Sequence, residues 1–145
     1  MKRVLILLFL SIFLFSGCTE VKDPTAALSD FVSAYGAEGI IYSTEIKEGQ
    51  EGYISPDTAK TIFGTTDLPD SYALFLNTHL DYASECGAFL ARGDLGEVIS
   101  LCKRRINILD REGKHSFIAI YGDVVFYSTM TDKERAQKIA DVVFR

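Results

Sequence analysis

The sequence predicts one small α+β domain, a mainly antiparallel sheet with helices packed on it, behind an N-terminal signal-like segment. Three observations carry this. Two amphipathic stretches, Asp94–Leu109 and Thr131–Val143, open with acidic or hydroxyl residues and repeat apolar residues at helical spacing. A Gly122-Asp123 pair separates two β-rich runs, His115–Tyr121 and Val124–Thr129, as a two-residue hairpin turn requires. The segments also run α, β, (β), α, β, β, α, β, β, α, so that strands often follow strands directly. That order favours antiparallel pairing over parallel crossovers.

Thr25–Tyr35 reads as the first helix, with Ala27, Leu28, Phe31, Val32 and Tyr35 on one stripe and Gly36 as its stop. Gly39–Ile46 has strand composition, the polar Lys47–Gly52 is a turn, and Tyr53-Ile54 is expected to pair back. Ser55 caps a compact helix that starts with Pro56 and closes at Gly64. Tyr72–Asn77 and Tyr82–Ala91 read as strands. The next helix is expected to place Leu95, Val98, Ile99, Cys102, Ile106 and Leu109 inward. Both faces of the following hairpin are largely apolar, which predicts central rather than half-solvated strands. Thr131–Glu134 reads as a capping box for the last helix, with Ala136, Ile139, Ala140 and Val143 inward.

The N-terminus has a different character. Lys2 and Arg3 precede an unbroken apolar run, Val4–Phe15, and then Ser16-Gly17-Cys18. Twelve apolar residues fall short of the ~20 that cross a bilayer but suit the apolar region of a signal peptide. The arrangement resembles a bacterial lipoprotein signal peptide with its lipobox, Phe15 standing where Leu is usual. The resemblance implies cleavage after Gly17, acyl chains on Cys18 and an extracytoplasmic, membrane-anchored protein. Residues 1–17 are then the cleaved signal, 18–24 a lipidated N-terminus and short tether, and 25–145 the globular domain. Two or three long chains give stable anchoring where one does not.

Cleavage leaves 128 residues with 13 cationic and 20 acidic side chains, a net charge of −7. That balance argues against nucleic acid as a partner. It also argues against electrostatic attraction to anionic headgroups, so the acyl chains on Cys18 must do the anchoring. The domain is too short for a two-lobed solute receptor.

Apart from Cys18, two cysteines remain, Cys86 and Cys102, in a compartment that permits disulfides. They are expected either to bridge the strand–helix interface or to sit as buried thiols. Glu85 lies among small and apolar residues, where a carboxylate needs a partner. Arg105 on the following helix is a candidate, read first as a structural ion pair and second as a ligand-binding spot. Lys103 and Arg104 are expected to face solvent. His79 and His115 lie in polar turns. The sequence contains no metal-ligand spacing, nucleophile elbow or phosphate loop, so neither metal, cofactor nor catalytic residue is expected.

Ser84–Phe89, Arg104-Arg105-Ile106 and Val124–Tyr127 also resemble, over about half the chain, uncharacterised small lipoproteins of Firmicutes. The resemblance implies a lipoprotein and no mechanism. The expected role is a non-enzymatic module that binds an envelope protein near the membrane. The alternative is a single-domain ligand-binding lipoprotein that assists a transporter.

Overall fold

A computed structural model describes residues 22–78 and 84–145. The signal segment, Cys18, His79 and the start of the expected Tyr82–Ala91 strand lie outside them. The elements are α1 (Pro24–Tyr35), β1 (Gly39–Ser43), α2 (Pro56–Phe63), β2 (Tyr72–Asn77), β3 (Glu85–Leu90), α3 (Leu95–Leu109), β4 (Phe117–Tyr121), β5 (Val124–Ser128) and α4 (Lys133–Val143). The five strands form one antiparallel sheet in the order β1-β2-β3-β5-β4. The class is α+β, as the hairpins predicted.

Side-chain alternation along the strands gives the sheet two apolar faces, each covered by a helix pair. Phe75, Cys86, Ala88 and Phe126 face α1 and α4, where Phe31, Val32, Ala136 and Ala140 meet them. Leu74, Phe89, Val125 and Tyr127 face α2 and α3, against Phe63, Val98, Leu101 and Cys102. The domain is therefore three layers, with its core on both sides of the sheet. This explains why β3 and β5 are buried at every position and read as nearly unbroken apolar runs.

Local chemistry sets the helix ends. Asp23, Ser55, Asp94 and Asp132 each accept a first-turn backbone N–H with the side chain, and losing such a cap typically costs ~1 kcal/mol. Gly36 and Gly64 close α1 and α2 at φ 73°, where a side chain would be strained.

Several expectations change. Asp132, not Thr131, caps α4, since its carboxylate reaches Arg135 N at 3.0 Å. Leu95 is 37% exposed, and Leu101 takes an inward place on α3 instead. The cause is α2, which packs beside α3 and widens its buried arc beyond one stripe. β1 stops at Ser43, whose hydroxyl accepts Glu45 N and turns the chain. Tyr53 pairs back through one parallel bridge to Ser43 rather than through a strand. Of the last hairpin only β5 is central. β4 is the sheet edge and only half-buried, because the crossover through α3 inserts β5 beside β3.

Candidate functional site

Glu85 opens β3 and is 3% exposed. Alternation points it to the α2/α3 face, together with Gly87 and Phe89. The same rule puts Tyr127 of β5 on that face, and the β3–β5 register sets Gly87 opposite Tyr127. A Cβ on Gly87 would lie 2.5 Å from the Tyr127 ring and 2.8 Å from Leu74. Glycine is what makes room for the ring, which stacks on Phe89 at 6.2 Å between centroids. Tyr127 can then donate its hydroxyl proton to Glu85 Oε1.

Arg105 reaches the same carboxylate from α3. Its Nε donates to Oε1 at 2.8 Å and its Nη2 to Oε2 at 2.6 Å, a bidentate pair. Its Nη1 donates to Ile62 O at 3.2 Å, satisfying a carbonyl in the last turn of α2. Thr129 Oγ1 accepts Glu85 N at 3.0 Å, and Thr129 N donates to Glu85 O at 2.8 Å. One acidic residue thus ties together β3, β5, α3 and, through Arg105, α2.

The electrostatics follow from this packing. Burial pulls the Arg105 guanidinium down, but its hydrogen bonds and charge pairing with Glu85 outweigh burial and hold it up. Burial, then the Glu85 carboxylate, pushes the Tyr127 phenol well above its ordinary value, so it stays a donor. Among the described residues no buried side-chain N or O lacks a partner. With both carboxylate oxygens engaged, the network is built to hold elements in place.

The expected Glu85–Arg105 pair is therefore present. The Cys86–Cys102 bridge is not, and both thiols are free and buried. Cys86 belongs to the α1/α4 core and Cys102 to the α2/α3 core. Alternation turns Cys86 away from the helix that carries Cys102, and the sheet separates them. Burial pushes the Cys102 thiol up to about 12 and the Cys86 thiol well above its ordinary value, leaving both poor nucleophiles. His115 is a turn residue, as expected. Its Nδ1 donates to Thr131 O at 2.9 Å, while Asp110 accepts the amides of His115 and Ser116, both at 2.8 Å.

A separate cleft of about 780 Å³ lies between the loop after α2 (65–71), the end of β3 and the first turns of α3. Asp67, Asp70, Asp94 and Glu97 line it, with Arg92 and Arg104 as the cations. Asp94 occupies the α3 N-terminus by accepting Glu97 N at 3.1 Å, which disfavours an anion there. Of the basic run, Arg104 lines this cleft, Lys103 is exposed and Arg105 turns inward. Neither Glu85, either cysteine nor His115 lines it. Sequence reasoning missed the cleft and the contribution of Tyr127, Thr129 and Gly87. Those three become neighbours of Glu85 only once β5 is known to lie beside β3. Compared with family models, curated proteins and solved structures, the chain matches none.

Proposed function

We propose that the protein is a lipid-anchored extracytoplasmic module that binds another protein along the open edge of its sheet. The contrast between the two sheet edges carries this reading. At β1 the backbone groups of Ile41 and Ser43 point outward and meet a cover. Ser43 N donates to Gly52 O at 3.0 Å, and a Cβ on Gly52 would sit 2.3 Å from Ile41 O. At β4 no described strand or bridge pairs the outer side. The strand Phe117-Ile118-Ala119-Ile120-Tyr121 lacks the charge or proline that commonly guards an edge, and Ile120 is 48% exposed. An extended segment added there gains main-chain hydrogen bonds and apolar contact together.

The anchor rests on the first eighteen residues, and the start of α1 sets how far from it the domain can stand. Its cap, Asp23, follows Cys18 by only five residues, a reach of at most ~18 Å. The domain would stay close to the bilayer. A second reading, a ligand-binding accessory, is favoured by the cleft, whose size falls in the small-molecule range. Beside apolar Leu68, Leu90, Val98 and Leu101 the cleft is lined by four carboxylates and two guanidiniums, more charge than the few polar groups of a typical small-molecule site, which places that reading second.

Cys18→Ala should abolish fatty-acid incorporation and move the protein from the membrane to the soluble fraction. Continued labelling would overturn the anchor. A photo-crosslinking residue at Ile120 should capture protein in cells, whereas one at Ile40 on the covered edge should not. Equal capture from both positions, or from neither, refutes the edge assignment.

A further inference from the structure

We infer that the partner at the β4 edge is a second copy of this chain, paired antiparallel through β4 about a two-fold axis at Ala119. This names the partner for the edge reading above and rests on it. The argument begins with backbone directions. Ala91 N donates to Asp123 O and Thr129 N to Glu85 O. Hydrogen bonding alternates along an antiparallel strand, so Asp123, Val125, Tyr127 and Thr129 bond β3, which leaves Val124, Phe126 and Ser128 to bond β4. Through the β4–β5 register, their partners are Tyr121, Ala119 and Phe117. The amides and carbonyls of Ile118 and Ile120 therefore point away from the sheet.

Those two residues flank Ala119 symmetrically. Placing a two-fold axis at Ala119 sets Ile118 opposite Ile120 of the other copy, and the reverse. Their outward groups then form two reciprocal pairs, four hydrogen bonds in all. The same register puts Phe117 opposite Tyr121, an aromatic cross-strand pair of the kind that stabilises sheets. At the ends, exposed His115 comes opposite exposed Asp123, while Asp110 holds the His115 and Ser116 amides at the same end. A symmetric contact requires the surface to complement itself, and the pairs within Phe117–Tyr121 do so.

Self-pairing also ends cleanly. Among the described residues each copy offers one open edge, since β1 is covered by the Gly52 segment. Two copies make a ten-stranded sheet with both outer edges guarded, a closed dimer rather than a growing fibre.

The test uses the mature lipidated protein extracted in detergent. It should sediment at twice the chain mass. Ala119→Cys should form an intermolecular disulfide under mild oxidation, because residues on the axis in a non-hydrogen-bonded pair stand ~4.5 Å apart between Cα atoms, within disulfide range. The parent chain and Ile40→Cys should not crosslink. Ile120→Lys should abolish the dimer while leaving the thermal unfolding of the monomer unchanged. The Ala119→Cys result stands by itself should Ile120→Lys fold poorly. A monomeric parent with no Ala119→Cys crosslink overturns the homodimer. If Ile120 then still captures a different protein in cells, the edge reading survives; if it captures nothing, both fall.

Discussion

Replacing Arg105 with Met isolates the contribution of the buried network. Met keeps much of the aliphatic stem and removes the guanidinium. Glu85, whose side chain is 4% exposed, would lose the charge-assisted bonds at 2.8 and 2.6 Å, keeping, among the described residues, the Tyr127 hydroxyl as the side-chain donor to its carboxylate. Ile62 O would lose its donor as well. Breaking a buried pair by deleting one partner costs about 3–5 kcal/mol, because a charge is left without compensation. A domain of this size is stable by only ~5–15 kcal/mol, so the variant should melt roughly 10–20 °C lower. Replacing both partners, Glu85→Leu with Arg105→Met, should recover much of the loss, since no charge then remains to desolvate. Urea unfolding of the parent, both single variants and the double variant gives the coupling directly. A cost below ~1 kcal/mol for Arg105→Met, as for an exposed ion pair, or a double variant that is simply additive, would refute this account.

Three further outcomes follow from the same geometry. Gly87→Ala should cost about 1–3 kcal/mol by overpacking, because its Cβ meets the Tyr127 ring at 2.5 Å; a variant of parental stability in a urea titration would contradict it. Burial opposes ionisation of Asp110, but the amides of His115, Ser116 and Lys114 outweigh it and hold the carboxyl below its usual range. Its stabilisation is thus complete above the unfolded value of ~3.9 and is lost as pH falls through the lower folded value. The stability gap between parent and Asp110→Asn should be full at neutral pH and close in acid; a pH-independent gap would be the wrong result. Finally, Cys86 and Cys102 should both react with a thiol reagent after unfolding without reductant, and a two-proton mass deficit in the folded protein would contradict the free thiols.

The elements were legible in the sequence because caps, turn glycines and apolar periods are local signals. The Glu85–Arg105 pair was legible too, since a carboxylate in an apolar strand needs a cation, and the next helix offered one. What stayed hidden depends on strand order. Cys86 and Cys102 looked bridgeable from the short connection between β3 and α3, but only the three-layer arrangement shows that they face opposite cores. β4 and β5 are equally apolar in sequence, and only the crossover through α3 decides which becomes the edge. Tyr127 lies 42 residues from Glu85, a distance no periodicity spans.

The cap at Asp23 has a consequence for orientation. It starts α1 on one face of the sheet, with Thr25 Oγ1 hydrogen-bonded to Ser43 Oγ at 2.6 Å. In the proposed dimer the two-fold axis runs perpendicular to the sheet, so both copies present α1 and α4 on the same side. With the anchor proposed above, two chains held in one leaflet would relate by an axis along the bilayer normal. The α1/α4 layer would then lie against the headgroups like the underside of a raft, moored at two diagonal corners, and the α2/α3 layer of each copy would face away from the membrane.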